Sequence, residues 1–303
     1  NDALSLSGDG VTVNGGDTAS YEYAGKSVVA DLNTYGNIDG LGSYGTAITG
    51  TSGDSDRLYG IENLFGSAYA DTLTGDSNTN FINGGGGHDT INGGAGDDFL
   101  KGGNGQDVIH GGLDNDTIWG DNGTSTSTDE GDGLYGDEGN DKIYGNNGSD
   151  LLNGGAGNDT LDGGSGRDTA VYNGGFFDYT VFRDGTGFKV TDINTASLDE
   201  GQDQLKDVEL IYFAGSGYTL DLNNAVPPAG AVFVLTSTGG FIASFTNIAD
   251  AVNYAIAGQT VLVGSGVYSS DSSILLKDGV NINLAAGSSL PGPSYAGFNV
   301  DGS

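Results

Sequence analysis

The chain has no cysteine and no methionine, one tryptophan, two histidines and four prolines among its 303 residues. Without thiols it can form no disulfide, no thiolate metal centre and no cysteine nucleophile. It is also short of positive charge: nine Lys and Arg stand against 41 Asp and Glu, a formal net charge of −32. That deficit argues against nucleic acid as a partner and against direct binding to anionic membranes, both of which reward basic surface. No stretch is long and apolar enough to cross a membrane, so direct membrane insertion is not expected. No signal-peptide pattern opens the chain, and with Asn1 in first place we expect a processed chain or an excised fragment. Nucleophile motifs, zinc spacings and phosphate loops are missing too, so an enzyme is not expected.

What the chain has in excess is glycine, 58 residues, and it is ordered. From Gly66 to Tyr172 run eleven segments of about nine residues, each opening with glycine, and ten carry aspartate at the sixth position. Gly84-Gly85-Gly86-Gly87-His88-Asp89-Thr90-Ile91-Asn92 is a clean copy of G-G-x-G-x-D-x-U-x, with U apolar. A fixed short period means a solenoid. The glycines open backbone conformations closed to other residues and let carbonyls approach a ligand, and the aspartate adds a carboxylate. Oxygen ligands in such number suit Ca²⁺ rather than zinc or copper. The x-U-x remainder is a minimal strand with one inward residue. Those inward positions are Leu73, Ile82, Ile91, Leu100, Ile109, Ile118, Leu134, Ile143, Leu152 and Leu161. A disordered acidic linker would not keep such a column in register.

On these residues the chain resembles the repeats-in-toxin (RTX) family, over about a third of its length and with a highly specific motif. The resemblance implies a right-handed parallel β-roll, two nonapeptides per coil, with turns alternating between two sides and an ion between each turn and the next but one. It carries metal ligation onto Asp71, Asp89, Asp98, Asp107, Asp116, Asp132, Asp141, Asp150, Asp159 and Asp168, and onto Gly84, Gly86, Gly93, Gly102, Gly154 and Gly163. Up to nine Ca²⁺ are expected, which would reduce the net charge to about −14. Asn80 lacks a charge, so its site should be the weakest. Turns with Ser67, Asp76, Asp121, Asp137 or Asn146 for the second glycine, and with Tyr69, Asn78 or Asp114 for the fourth, depart from the pattern. One turn, Gly120 to Tyr135, is long, and its polar Thr124–Glu130 excess should protrude as a surface loop. Folding coupled to Ca²⁺ binding is the expected consequence.

The flanks read as β-rich. Residues 1–65 form an N-terminal cap, with short strands near Val11–Val13, Tyr21–Tyr23 and Ser27–Leu32. Residues 66–172 are the roll, and residues 173–225 a C-terminal cap whose Asp203–Phe213 echoes Asp56–Leu64. Phe176–Phe182 and Phe188–Thr191 should pair as a hairpin, their aromatics in the core. Glu62 is assigned a structural rather than a catalytic role. After the linker Val226–Gly230, residues 226–303 resemble the opening of a pectate-lyase-like right-handed β-helix: a strand at Phe233–Leu235, a helix over Asn247–Ala257 with Ile248, Ala251, Val252 and Ile256 on one face and Gly258 as its stop, then strands at Thr260–Tyr268, Ser273–Leu276 and Val280–Leu284. Only about two coils fit, so the segment is expected to be incomplete, or completed by a neighbouring chain.

The fold class is therefore all-β: a roll with caps, then the start of a second β-solenoid with one capping helix. The outward residues Phe81, Phe99, Trp119 and Tyr144 should line one sheet, where a flanking domain, a partner or a glycan could dock. The opposite face has no regular Thr row, which argues against ice binding. His88 and His110 are read as solvated. Two functions from different classes follow. One is a calcium-dependent structural module of a secreted bacterial surface protein (S-layer, filament or adhesin), extracellular, self-associating or bound to other surface proteins and, through Ca²⁺, to acidic glycans. The other is a non-catalytic module of a secreted polysaccharide-active lyase or epimerase.

Overall fold

The computed structural model describes residues 3–5, 11–22, 24–33, 45–49, 54–122, 130–185, 187–194, 199–238, 240–267, 280–284 and 288–289. They fall into two compact units. The first is Asn1–Ala170 with Leu198–Asp207, and the second is Val171–Ser197 with Val208–Ser303.

In the first unit each nonapeptide spends its glycine-rich part in a turn and its x-U-x part in a strand. Through the repeats, strands pair in parallel with the strand next but one. Thr90–Ala95 pairs with Val108–Leu113, and Phe81–Gly86 with Phe99–Asn104, both 18 residues on. The inward residues therefore stack in two columns. One runs Ala19, Leu64, Ile82, Leu100, Ile118, Ile143, Leu161 and Leu205, and the other Ala30, Leu73, Ile91, Ile109, Leu134, Leu152 and Ala170. All these side chains are buried, and each Leu or Ile so placed contributes roughly 1.5–3 kcal/mol. The repeat resumes in phase after the long turn, since Ile109 pairs with Leu134 and Trp119 with Tyr144. Residues 123–129, where the protruding loop was expected, lie outside the described residues.

The roll extends beyond the glycine-rich repeats at both ends. Val28–Asp31 and Asp54–Phe65 add rungs at the start, and Gln202–Lys206 adds one at the end. Val28–Asp31 also pairs antiparallel with Gly45–Thr49, which closes that end.

The second unit contains the expected hairpin, Tyr179–Asp184 against Gly187–Asp192. Its first strand starts later than the sequence suggests, because Phe176–Asp178 forms a 3₁₀ turn whose Asp178 carboxylate accepts from the Gly175 N–H (2.6 Å). Phe176, Tyr179, Phe213, Tyr218 and Phe233 pack together, so most of these aromatics are core; Phe177 stays half exposed. Val232–Leu235 pairs antiparallel with Phe241–Phe245 and Thr260–Val263, and Thr260–Val263 pairs in parallel with Asn281–Leu284. The helix is shorter than expected, Ile248–Tyr254, capped by Asn247 accepting from the Asp250 N–H at 2.8 Å. Ile248, Ala251 and Val252 face the core, but Ile256 lies past the helix end and is 64% exposed. The strand expected at Ser273–Leu276 lies outside the described residues.

Candidate metal centre

The sixth-position aspartates form two ladders, one along each side of the roll. Each carboxylate receives the backbone N–H of its counterpart two turns earlier. Asp71 donates to Asp89, Asp89 to Asp107, Asp107 to Asp132, Asp132 to Asp150 and Asp150 to Asp168, all onto Oδ1 at 2.8–2.9 Å. On the other side Asn80 donates to Asp98, Asp98 to Asp116, Asp116 to Asp141, Asp141 to Asp159 and Asp159 to Asp203 at 2.7–2.9 Å. Each turn is thus hydrogen-bonded to the turn next but one, the spacing that the resemblance implies. The ladder also takes in Asp203, which the sequence reading missed.

These side chains are at most 3% exposed. For Asp89, Asp98, Asp116, Asp132, Asp141 and Asp159 the second oxygen, Oδ2, is buried and accepts no hydrogen bond. Leaving a buried carboxylate oxygen unsatisfied costs several kcal/mol, so repetition of the feature in turn after turn asks for a ligand. Each Oδ2 lies against the first glycine of its own turn, and, except at Asp159, together with a carbonyl from the turn next but one. A Cβ on Gly84 would collide with Asp89 Oδ2 and Gly102 O, one on Gly93 with Asp98 Oδ2 and Gly111 O, and one on Gly111 with Asp116 Oδ2 and Gly136 O. Glycine is required there because the side chain it lacks would occupy the space between carboxylate and carbonyl. The carbonyls of Gly102, Gly163 and Gly154 face such cradles at Gly84, Gly145 and Gly136, whereas those of Gly84 and Gly93 face Asp71 and the Asn80 amide at Gly66 and Gly75. Gly86, by contrast, is the third residue of its turn, and a Cβ there meets nothing closer than 3.8 Å. At the end of one side Asp207 O takes the place of a glycine carbonyl, beside Gly163 and Asp168.

Electrostatics gives the same reading. Burial pushes the carboxyls of Asp89, Asp98 and Asp141 up to about 7 and those of Asp116 and Asp132 up to about 8, with neighbouring carboxylates adding to the shift. Asp159 rises to about 6, from burial and then the charge of Glu200. In each case the ladder N–H pulls the other way but does not win. A divalent cation would reverse the balance and hold the ladder ionised. Among the described residues no three His, Cys, Asp or Glu side chains cluster around a common metal position. The donors are thus single carboxylates with backbone carbonyls, hard oxygen ligands that fit Ca²⁺.

The first turn on each side differs. Asp71 has both oxygens engaged: Oδ2 accepts from the Ser67 N–H at 2.5 Å, and Oδ1 from the Val28 N–H (2.6 Å) and the Ser67 hydroxyl (3.0 Å). Asn80 accepts from the Asp76 N–H at 2.8 Å and donates to the Glu62 carbonyl at 3.0 Å, which gives that backbone a structural role. Ser67, Tyr69, Asp76 and Asn78 all keep negative φ, whereas Asp114, Asp137 and Asn146 take the left-handed conformation of the glycines they replace, at φ 71–75°. Asx residues tolerate that conformation, so those later turns keep the repeat geometry.

A further ladder went unread. Fifth-position side chains accept the next backbone N–H on the same side, Asn115 to Asp97, Asn140 to Asn115, Asn158 to Asn140 and Gln202 to Asn158, each at 2.9 Å. The signal was Asp or Asn in the fifth position of alternate repeats. His88 serves on the other side, accepting from the Gln106 N–H at 2.9 Å. His110 lies 2.9 Å from Asp137 and stacks on Tyr135. The aromatic row is two half-rows: Phe81 pairs with Phe99, and Trp119 with Tyr144, while Phe99 meets Trp119 diagonally, ring centroids 6.5 Å apart.

The family model described as the RTX calcium-binding nonapeptide repeat (4 copies) matches residues 56–91, 92–126 and 135–170. A search of curated proteins finds no match to the chain. Repeat spacing, parallel register and buried aspartate ladders agree with that match, and the matched segments 56–126 and 135–170 are RTX calcium-binding nonapeptide repeats in a β-roll architecture.

Proposed function

We propose that the roll is a calcium-dependent structural module of a secreted bacterial surface protein, such as an S-layer, filament or adhesin, whose folding and assembly are driven by Ca²⁺. The observation that carries this reading is the repeated buried Oδ2 without a hydrogen-bond partner, each beside a glycine Cα and, in the regular turns, a carbonyl of the turn next but one. A chain of net charge −32 without a single cysteine has neither disulfides nor basic residues enough to hold such a stack together. Divalent ions supply both cross-link and counter-charge. The ligands would be Oδ2 of Asp89, Asp98, Asp107, Asp116, Asp132, Asp141, Asp150, Asp159 and Asp168 with glycine carbonyls, while Asp71 and Asn80 serve as protein-satisfied ends. Extracellular calcium would keep the module folded, and partners would be other copies, other surface proteins or acidic glycans bridged by Ca²⁺.

A second reading makes the roll an accessory module of a secreted polysaccharide-active enzyme. It draws on the helix Ile248–Tyr254 followed by the parallel pair Thr260–Val263 and Asn281–Leu284, an arrangement suited to the start of a β-helix. Far-UV circular dichroism with light scattering during a Ca²⁺ titration, Mg²⁺ as control, separates the two. A Ca²⁺-selective gain of β signal with growth in particle mass supports the surface assembly. Folding without growth favours the accessory module. No response to Ca²⁺ sinks both.

A further inference from the structure

The roll is acidic over most of its surface, and one face is not. Between Gly66 and Tyr172 the bases are Lys101, Lys142 and Arg167 alone, and two of these stand on the same sheet. Side chains alternate across a strand, so the residues flanking the inward column Ile82, Leu100, Ile118 and Ile143 point outward. Over these successive rungs the outward positions hold the aromatics Phe81, Phe99, Trp119 and Tyr144 and the bases Lys101 and Lys142, and no acid. Phe81 and Phe99 are 38% and 44% exposed, and Lys142 is exposed too. Neither ammonium group has an ion pair among the described residues, whereas Lys206, further along the same sheet, is held by Asp162 at 2.6 Å. On a chain of net charge −32, an apolar face with unneutralised positive charge calls for a cover that is acidic and partly apolar.

The chain itself carries such a cover. On the turns that follow the other sheet, Asp97, Asp114 and Glu138 come from three successive turns and are exposed. Within this acidic edge Leu113, in register between Ala95 and Glu138, is 47% exposed. Spacing agrees as well as charge. Lys101 and Lys142 are two rungs apart along the roll, and so are Asp97 and Glu138, about 10 Å in each case. One solenoid rise sets both rows, so a second roll laid alongside keeps the match. Phe99, Trp119 and Tyr144 stack on one another, with interplanar angles of 17° and 12°. Their faces are turned to each other, which suits contact with a side chain such as Leu113 more than the flat stacking of a sugar ring.

We infer that this lysine and aromatic face docks the acidic edge of a second copy of the chain, Lys101 and Lys142 against Asp97, Asp114 and Glu138, with Leu113 against the rings. The two patches differ, so the contact is heterologous, and each docked copy leaves a face and an edge for the next. The inference rests on the reading of the protein as a calcium-driven assembly and names the surfaces that carry it. Ca²⁺ acts by folding the roll that presents them.

The test uses the full chain in Ca²⁺, with light scattering for particle mass, far-UV circular dichroism for folding and acrylamide quenching of Trp119, the sole tryptophan. The parent should grow and shield Trp119 as it does so. Lys101→Glu/Lys142→Glu and Asp97→Lys/Glu138→Lys should each fold as the parent does, yet each alone should stay near the mass of one chain. Mixed in equal amounts they should grow again, because each reversed face then meets a reversed edge and each native face a native edge. Growth of either variant alone to the parent's mass, or no recovery in the mixture, overturns the interface and leaves the assembly reading standing. A parent that folds without growing fails the assembly reading and takes this inference with it. Galacturonate hexasaccharide probes the other occupant: if Lys101→Glu/Lys142→Glu loses its binding but keeps the parent's particle mass, the face belongs to an acidic glycan and the inference is overturned. Asp97 accepts the Asn115 N–H at 2.9 Å, so should its double variant not fold, Glu138→Lys is read alone. A severalfold lower particle mass then supports the contact, and an unchanged mass overturns it.

Discussion

Asp132 shows what one residue does in the ladder. Its Oδ1 accepts the Asp107 N–H, a role an asparagine could keep, while its Oδ2 is buried without a hydrogen-bond partner. Asp132→Asn should therefore preserve the stacked backbone yet remove one bound Ca²⁺ per chain and raise the Ca²⁺ midpoint of folding by about tenfold, ~1.4 kcal/mol, as read by dialysis and circular dichroism. Asn80 is the converse. Its amide is satisfied by Asp76 and Glu62, so Asn80→Ala should cost about 1–2 kcal/mol of stability in denaturant unfolding and leave the ion count unchanged. The pH response follows from the raised carboxyls. An unfolded aspartate titrates near 4, and the folded ones at about 6–8. With chelator present, the unfolded chain releases protons first as pH rises, so the ion-free roll is most stable below pH ~4 and loses stability up to about pH 8. Circular dichroism in chelator should show β signal gained on acidification. With Ca²⁺ the order reverses, because protons and ions compete for the same oxygens, and the Ca²⁺ midpoint should rise as pH falls.

At the scale of the element, the turn depends on a few positions and tolerates change at others. Gly105 sits at φ 126° with the place of its Cβ against the Gly87 carbonyl, whereas a Cβ on Gly86 would make only ordinary contacts, 3.8 Å or more away. Gly105→Ala should lower stability by ~1–3 kcal/mol and Gly86→Ala by much less, measured as the Ca²⁺ concentration at the folding midpoint. The strands are only as strong as their inward residue. Ile118 stands between Leu100 and Ile143 in its column, so Ile118→Ala opens a cavity inside a close-packed stack and should cost about 2–5 kcal/mol. Strand, column and aspartate ladder were legible because each is written nine residues at a time. The helix end was less so: Ile256 has helical spacing to Val252, but the chain leaves the helix at Tyr254, and no local signal distinguishes the two outcomes. Phe176 likewise fits a strand by residue type, while packing against Phe213 and Tyr218 holds it in a 3₁₀ turn.

On the scale of the whole molecule, the first unit is a stack whose neighbours are two turns apart, so its cooperativity runs along the roll. The ends determine where it stops. Val28–Asp31 and Asp54–Phe65 provide rungs whose backbone closes Asp71 and Asn80 by hydrogen bonds alone. Chelator should therefore unfold the central turns before these N-terminal rungs, a gradient that hydrogen exchange along residues 28–168 would show. Uniform exchange in chelator would argue instead that the N-terminal rungs need the ions as much as the rest. The sequence by itself determined much of this: no thiols, a large excess of acid, a nine-residue period and an unbroken Leu and Ile column, and hence a solenoid with oxygen ligands suited to Ca²⁺, which the resemblance to the RTX family made a β-roll. These are local properties, repeated until they leave one solution. Tertiary structure alone decided that Asp71 and Asn80 are satisfied by protein, that Asp203 and Leu205 rejoin the roll from a segment outside the period, and that Glu200 is buried. The reason is physical: whether a carboxylate is satisfied, and which strand ends a stack, depend on residues brought together from 18 to 44 positions apart.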